Sequence, residues 1–341
     1  MLGAMRFRLL AVAAASALLL TACSSDKEPP KAPDASEGTS TPIVEISPLT
    51  GLPLKGGAPD NPVLVVKVEN TFGGAPQYSL DKADLVIEEL VEGGLTRLAA
   101  LYYENLPTKV GHVRSMRATD IGIASPVAGQ IVASGGASST YQRVAAAGVP
   151  VFSEDHDATG FSSDTTKVRP YNRLVDLTVI AGRAKPAKIP GPYLTWEAAG
   201  ADEPGAAATA EAPRKATAAT VGFSNTTRTS WALKGDTWQR TNGHAEAGTD
   251  FAADTMIVLF CDVGDAGYTD PAGNPVPETV VEGSGDAMIF HGDQVTKATW
   301  NKKTLGATMT FEDTAGNALG IDPGHVWMEL VPKTGGSVTL G

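Results

Sequence analysis

EELVEGGLTRLAALYYENLPTKVGHVRSMRATD, residues 88–120, combines polar groups and apolar runs more densely than any other part of the chain. Three arginines, Arg97, Arg114 and Arg117, follow a Gly-Gly turn in this stretch, and several carboxylates lie near them in sequence. Apolar runs separated by turn residues are typical of short buried strands. We therefore expect the fold to be organised around this stretch and any functional site to include its arginines.

An α/β fold is predicted for the first half of the chain. Within the stretch above, Leu95–Tyr103 and Lys109–Val113 are predicted strands. Upstream, Val63–Val68 is a continuous β-branched run, typical of a strand buried on both faces. A helix is predicted over residues 79–90, capped by its first polar residues and ended by the Gly-Gly pair. Downstream, the predicted elements are a strand at 130–134, a helix at 138–147, a strand at 149–152 and a helix at 174–181.

A mainly β fold is predicted for the second half. From about residue 220, strand-like segments alternate with turn signals such as Asn242-Gly243 at spacings of about 8–12 residues, which indicates a small sandwich or barrel-like sheet. Residues 191–219 are rich in Ala, Pro and Gly, as linkers are. The sequence thus predicts an α/β N-terminal domain at 43–190, a linker at 191–219, and a mainly β C-terminal domain at 220–333.

The N-terminus has the features of a bacterial export signal at residues 1–22. Two arginines precede LLAVAAASALLL, a run of 12 residues that is too short to span a hydrocarbon layer about 30 Å thick. Leu20-Thr21-Ala22-Cys23 matches the lipobox of exported lipoproteins, in which the cysteine receives a diacylglyceryl group. The alternative is an ordinary secretory signal with an incidental cysteine. We expect residues 23–42 to be a lipid anchor and flexible tether at the outer face of the cytoplasmic membrane.

Composition excludes several classes of function. The net charge of −11 argues against nucleic acid as a partner, because phosphate binding needs a basic stripe. Cys261 is the single cysteine of the body and is expected to be a buried apolar residue. The five histidines are scattered without metal-ligand spacing, and Glu154-Asp155-His156-Asp157 lacks the alternation of a calcium loop. We expect no resident metal or cofactor.

The candidate site combines the arginines with polar groups that loops bring near them. Glu69 and Asn70 follow the strand at Val63–Val68, at the position where sites form in α/β sheets. If residues 114–125 are helical, Arg114 and Arg117 share a face, Asp120 pairs with Arg117, and the helix start favours anions. The long segment 153–172 could close over this helix. The candidate ligand-binding residues are Arg97, Arg114, Arg117, Glu69, Asn70, Glu92, Asp120 and Asn172.

Two other interpretations of this cluster remain open. The arginines could be structural ion-pair partners of Glu88, Glu89, Glu92 and Asp120, because partly buried arginines are usually paired. They could also take part in catalysis, since perturbed ionisable groups cluster at active sites.

Several motifs together resemble the YerB-like family of Gram-positive lipoproteins. They are Pro48–Leu52, Val63–Asn70, Ala83–Val86, Val91–Arg97, Lys109–Arg117, Phe161–Asp164, Arg169–Asn172, Gly283–Ala287, Thr299-Trp300 and Asp322–Trp327. His112 and Met116 depart slightly from the family pattern. The resemblance implies a surface lipoprotein of the cell envelope with two domains, and it implies no catalytic residues.

Three functions follow as hypotheses. The first is a non-enzymatic binding or scaffold module for peptidoglycan, a lipid-linked wall precursor or another envelope protein. The second rests on a short pattern similar to envelope phosphotransferases that act on polyprenyl-pyrophosphate-linked wall glycopolymers, in which the arginines would hold pyrophosphate while Asp120 or Glu92 assists Mg²⁺. The third is a solute-binding lipoprotein, which needs a deep cleft between two similar lobes, and the unequal domain types count against it.

Overall fold

A large mixed sheet forms the centre of the fold, and the computed structural model describes residues 45–197, 210–270 and 273–341. The predicted signal peptide, Cys23, the tether and part of the predicted linker lie outside the described residues. The helices are α1 (Thr119–Ala124), α2 (Ser138–Ala146) and α3 (Leu177–Arg183). The strands are β1 (Leu64–Glu69), β2 (Leu85–Leu90), β3 (Thr96–Tyr102), β4 (Val110–Gly111), β5 (Gln130–Ala133), β6 (Val151–Ser153), β7 (Phe161–Ser163), β8 (Arg173–Val175), β9 (Arg214–Lys215), β10 (Ala218–Gly222), β11 (Arg228–Lys234), β12 (Thr237–Arg240), β13 (Ala252–Ala253), β14 (Thr255–Cys261), β15 (Val263–Thr269), β16 (Pro275–Thr279), β17 (Gly283–His291), β18 (Gln294–Lys302), β19 (Thr310–Asp313), β20 (Ala318–Leu319), β21 (Val326–Pro332) and β22 (Ser337–Leu340).

Strands from both halves of the chain join the large sheet. Its order is β20-β19-β18-β17-β14-β21-β2-β3-β1-β5-β6, and β9 pairs with β18. The two halves meet where β2 pairs in parallel with β21, with Glu88 opposite Glu329. Residues Val44–Gly341 accordingly form one compact unit. The boundary between the two predicted domains stays a prediction from the sequence, but no break in the sheet separates them.

The two faces of the large sheet are covered differently. Helices α1 and α2 pack on one face, through Ile121, Ile123 and Val144, and we call it the α1 face. The opposite face packs against α3 and against an antiparallel sheet ordered β13-β12-β11-β10-β22, and we call it the second-sheet face. There, Trp231 of β11 meets Trp327 of β21 edge-to-face at 5.2 Å between ring centroids. The predicted α/β first half and mainly β second half are confirmed.

Apolar runs predicted the central strands because both of their faces are buried. β1 is buried at every residue and lies between β3 and β5, and β3 is likewise buried throughout. A strand covered on both faces needs apolar side chains on both, so it has no alternating pattern.

The helix predicted over residues 79–90 is wrong. A single 3₁₀ turn at Leu80–Lys82 is followed by strand β2, which pairs with β3 and β21. In a strand, the adjacent Glu88 and Glu89 point to opposite faces, and each face supplies its own partners. Long-range pairing therefore overrides the local helix signal.

The helix predicted to begin near Ser115 is also shorter than expected. α1 begins at Thr119, so Arg114 and Arg117 lie in the extended segment before it. That segment runs beside the sheet, where the Arg114 amide donates to Lys67 O at 2.9 Å. The long segment 153–172 contains the short strand β7, and the helix predicted at 174–181 is α3, displaced toward the C-terminus behind β8.

Candidate ligand-binding site

The candidate residues lie at one edge of the large sheet, where β1, β2 and β5 end. β3 runs in the opposite direction and begins at this edge, so Arg97 sits between Glu69 of β1 and Glu89 of β2. The segment Arg114–Arg117 crosses the same edge, held by the Met116 amide donating to Gly135 O at 2.9 Å. Loops leaving the carboxyl ends of parallel strands commonly build sites. We call this region the carboxyl-end edge.

Arg97 and Arg117 share one carboxylate, Glu92. Arg97 Nη2 donates to Glu92 Oε1 at 2.9 Å, and Arg117 Nε donates to Glu92 Oε2 at 2.9 Å. Burial raises the pKa of Glu92, but the hydrogen bonds from Arg117 and the charge of Arg97 outweigh it and lower that pKa to about 2. Glu92 is therefore ionised, and two guanidinium groups are already paired with it.

Arg114 is the most exposed of the three arginines. Its side chain is 16% exposed, compared with 6% for Arg97 and 9% for Arg117. Its Nη1 forms an ion pair with Glu69, and its guanidinium lies 5.0 Å from the ring centroid of Tyr171. Tyr171 belongs to the segment 153–172, so this segment does contact the cluster, as the sequence suggested.

Lys67, which is not among the site residues predicted from the sequence, lies at the centre of the cluster. Lys67 of β1 pairs with Glu89 and, at 2.6 Å, with Asp120, and all three side chains are fully buried. Burial lowers the pKa of Lys67, but the two carboxylates outweigh it and the net shift is upward. Burial and the charge of Asp120 raise the pKa of Glu89 to about 7. The Lys67 ammonium thus remains charged, while the Glu89 carboxyl protonates near neutrality.

Asp120 does not pair with the Arg117 side chain as predicted. Its Oδ2 accepts the Arg117 backbone N–H at 2.6 Å, while Oδ1 faces Lys67. Asn172 directly precedes β8, and within the described residues its side-chain Oδ1 is buried without a hydrogen-bond partner.

On the α1 face, four cationic side chains meet four carboxylates. The cations are Lys67, Arg97, Arg114 and Arg117, and the carboxylates are Glu69, Glu89, Glu92 and Asp120. Of the carboxylates expected to pair with the arginines, Glu92 pairs with Arg97 and Arg117, whereas Glu89 and Asp120 pair with Lys67. Binding of a ligand by these residues stays a prediction, with Arg114 placed best for it.

Asn70 and Glu88 belong to a second cluster on the opposite face. Asn70 Nδ2 donates to Glu88 Oε1 at 2.9 Å, and Arg240 Nη1 donates to Asn70 Oδ1 at 3.1 Å. Burial and the charge of Glu88 raise the pKa of Glu329 well above its ordinary value, so Glu329 keeps its proton beside Glu88. Glu88 is thus not an arginine partner in the first cluster, because strand alternation turns it away.

A polar cleft of about 290 Å³ opens above the second cluster. Hydroxyl, amide and guanidinium groups line it, and Glu88 lies among them. The lining residues are Asn70, Thr71, Glu88, Thr96, Thr226, Thr227, Arg228, Thr229, Arg240, Asn242 and His244. Its polar groups bond largely to one another, as when Asn242 Nδ2 donates to Arg228 O at 2.9 Å.

Two loops at the carboxyl-end edge expose large apolar side chains. Phe72, which follows β1, is 83% exposed, and Val168, in the segment 153–172, is 76% exposed. The loops are joined where Lys167 Nζ donates to Gly73 O at 3.2 Å. Phe72 also lies beside the polar cleft, with its ring 6.5 Å from that of His244. We call Phe72, Val168, Tyr171 and Arg114 the exposed loop surface.

Two signals in the sequence could have revealed the missed residues. Lys67 is a single lysine inside the β-branched run Val63–Val68, and a charge in a strand buried on both faces must have a buried partner. Glu88 and Glu89 in Leu85–Leu90, taken as strand residues, would have indicated polar partners on both faces. Arg240 had no comparable signal, because its partners are distant in sequence.

Comparison with known protein families assigns the chain to one of them. Residues 49–189 match the N-terminal domain, and residues 219–328 the C-terminal domain, of a family described as "Protein of unknown function (DUF3048)". The chain belongs to the DUF3048 family. The two-domain, YerB-like resemblance seen in the sequence is thereby confirmed.

Relatives of this DUF3048 protein support the same assignment. It is 42% identical over 71 residues to "Putative lipoprotein YerB" of Bacillus subtilis (strain 168), a match that spans 21% of this chain and 22% of that protein. The crystal structure of the YerB protein from Bacillus subtilis superposes with a TM-score of 0.70 at 21% identity, covering 86% of this chain and 99% of that one. That likeness shows a shared fold.

Among the described residues, no helix has the length and apolarity needed to cross a membrane. Within the same residues, no group of three or more His, Cys, Asp or Glu side chains is arranged to hold a metal ion. The Mg²⁺ of the phosphotransferase hypothesis stays a prediction.

Proposed function

We propose that this DUF3048 protein is a lipid-anchored, non-enzymatic binding module of the bacterial envelope. Anchoring through Cys23 is supported by the lipobox motif and by the name of the Bacillus subtilis relative, a lipoprotein. The binding role is supported by the exposed loop surface. Its partner is an envelope protein.

The exposure of Phe72 and Val168 carries the proposal. Two large apolar side chains that are 83% and 76% exposed, on loops held together by a hydrogen bond, leave apolar area in water that a partner could cover. Arg114 and Tyr171 lie beside them, and Tyr and Arg are enriched where protein partners bind most strongly. An apolar, loop-borne surface of this kind fits a protein better than a phosphorylated ligand.

The ion pairs on the α1 face favour a binding function over phosphoryl transfer. Arg97 and Arg117 both bind Glu92, so holding a pyrophosphate would require separating these ion pairs. Desolvated ion pairs are costly to break because each leaves a buried charge. A solute-binding lipoprotein would need two similar lobes, and the two halves here have different folds.

Crosslinking in cells tests this function. A photoreactive amino acid replaces Phe72 or, separately, Val168, and Leu305 serves as a matched control because it is another exposed apolar residue, at 38%. We expect a discrete protease-sensitive adduct from positions 72 and 168 and none from 305. Adducts sensitive to a muramidase would assign the surface to the wall instead. Equal adducts from all three positions, or none, would reject the proposed surface.

A further inference from the structure

The polar cleft above the second cluster is formed by both halves of the chain. Thr71 follows β1 in the first half. From the second half, Thr227 and Arg228 lie at the start of β11 and His244 follows β12. Every lining side chain is polar, and the volume of about 290 Å³ is close to the lower limit of about 300 Å³ for small-molecule sites. A ligand of this cleft must therefore be small and rich in hydrogen-bonding groups.

The floor of the cleft is a network of largely buried groups that bond to one another. Arg240 donates from Nη1 to Asn70 Oδ1 at 3.1 Å and from Nη2 to Gln77 Oε1 at 2.8 Å. Thr229 Oγ1 donates to Glu88 Oε2 at 2.9 Å. Buried polar groups whose bonds are satisfied form a rigid network. The floor therefore keeps its shape and leaves recognition to the groups around the mouth.

Around the mouth, four lining side chains keep their hydrogen-bonding capacity. Within the part of the chain that the structure describes, the Thr71 and Thr227 hydroxyls and the His244 ring nitrogens make no hydrogen bond, and the Arg228 guanidinium makes neither a hydrogen bond nor an ion pair. Arg228 is exposed and the other three residues are half-buried. None of their polar atoms is among the buried unpartnered ones, so a ligand in the cleft can reach them.

The three uncharged groups match the hydroxyls of a sugar ring. A threonine hydroxyl both donates and accepts, as each hydroxyl of a saccharide does. Burial and the charge of Arg240 lower the pKa of His244. The ring is therefore uncharged at neutral pH and offers one donor and one acceptor. Such a mixed set of donors and acceptors is complementary to neighbouring sugar hydroxyls, and a site built to bond hydroxyls discriminates strongly against ligands that lack them.

Arg228 adds a preference for one negative charge. A guanidinium binds a carboxylate through two parallel N–H···O bonds. The other arginine of the lining, Arg240, is already paired with Asp250, and Glu88 places a carboxyl group in the floor. A phosphate monoester carries about −1.5 to −2 charges at neutral pH, and it would meet one free cation and an acid beneath it. A single carboxylate suits this charge balance better.

We infer that the polar cleft binds a saccharide unit that carries one carboxylate. The carboxylate pairs with Arg228. The ring hydroxyls bond to Thr71, Thr227 and His244. The site uses no residue of the segment 153–172, and it does not rest on the proposed protein partner.

Ligand-observed NMR with matched sugars tests this inference. The full-length protein in detergent is titrated with methyl glucuronide, methyl glucoside, and methyl glucoside phosphorylated at its primary hydroxyl. These probes share one ring and differ only at the exocyclic carbon. Saturation transfer should appear for the glucuronide, and its affinity should exceed that of the other two sugars about tenfold, because it alone places one carboxylate on Arg228.

Matched variants locate the binding. Arg228→Ala should lower the affinity for the glucuronide about tenfold, whereas Arg214→Ala, at another exposed arginine, should leave it unchanged. Thr227→Val keeps the shape of the side chain but removes the hydroxyl, and it should weaken binding of the glucuronide and the glucoside about fivefold. Val168→Ala should bind the glucuronide as the parent protein does, so this inference and the proposed function can fail separately.

Three results would overturn the inference. Absence of saturation transfer to all three sugars would mean that the cleft holds only water. Tighter binding of the phosphorylated sugar than of the glucuronide would assign the cleft to phosphate esters. Glucuronide binding that is unchanged in both Arg228→Ala and Thr227→Val would place the sugar elsewhere on the protein.

Discussion

Lys67→Met should destabilise the fold strongly. Lys67, Glu89 and Asp120 are all fully buried, and the ammonium contacts both carboxylates. Methionine is an unbranched side chain that fills the space but leaves the two acids without their shared cation. Removing one partner of a buried ion pair costs about 3–5 kcal/mol, a large part of a typical total stability of about 5–15 kcal/mol.

The cost of Lys67→Met should depend on pH. The pKa of Glu89 is already raised to about 7 with Lys67 present, and losing the cation raises it further. A carboxyl group with a raised folded-state pKa stabilises the fold below its unfolded value and loses that contribution as pH rises through the folded value. The deficit should therefore be smaller near about pH 5 than near about pH 8.

Urea unfolding of residues 45–341 at these two pH values, followed by tryptophan fluorescence, measures the effect. Lys234→Met is the control, because Lys234 is exposed on β11 and its loss should change stability by less than about 0.5 kcal/mol. If Lys67→Met lowers the free energy of unfolding by less than about 1 kcal/mol near pH 8, or by the same amount at both pH values, the reasoning about the buried ion pairs is refuted.

Three further predictions concern other parts of the fold. Glu92→Gln should lower the free energy of unfolding by about 2–3 kcal/mol at neutral pH. Because the pKa of Glu92 in the folded protein is about 2, this loss should shrink as pH falls from about 4.5 toward that value. Urea unfolding at acidic pH measures the change. Gly51→Ala should lower the melting temperature more than Gly56→Ala, because both have positive φ but only Gly51 would bring a Cβ against Trp196. Phe72→Ala should shift the melting temperature by no more than a surface substitution does, yet abolish partner crosslinking from position 168.

The sequence predicted the strands that are mostly apolar and missed the strand that carries two adjacent buried carboxylates. β1 and β3 were predicted correctly because burial on both faces leaves a continuous apolar run. β2 was assigned to a helix because the polar residues from Ser79 and the Gly93-Gly94 pair resemble the cap and the end of a helix. The partners of Glu88 and Glu89 come from Lys67 on one side and from the second half of the chain on the other, and local periodicity does not contain such contacts.

The residues predicted to form one cluster divide between the two faces of the sheet. Arg97, Arg117 and Glu92 do meet, since Glu92 and Arg97 flank the turn between β2 and β3 and the segment before α1 brings Arg117 to them. Asn70 was grouped with them, although it faces the other side of the sheet and bonds to Arg240. A sequence position adjacent to Glu69 does not reveal this separation until the strand direction and register are known.

The parallel pairing of β2 with β21 has a consequence for how the protein reaches its folded state. β21 is a central strand of the sheet, yet almost all of the chain must be synthesised before it becomes available. Until then, β2 presents an open edge that can pair with other extended chains. Such long-range pairing slows folding and exposes intermediates to aggregation. A copy interrupted before residue 326 would thus leave an unprotected strand edge in the middle of the sheet, where proteases could cut it.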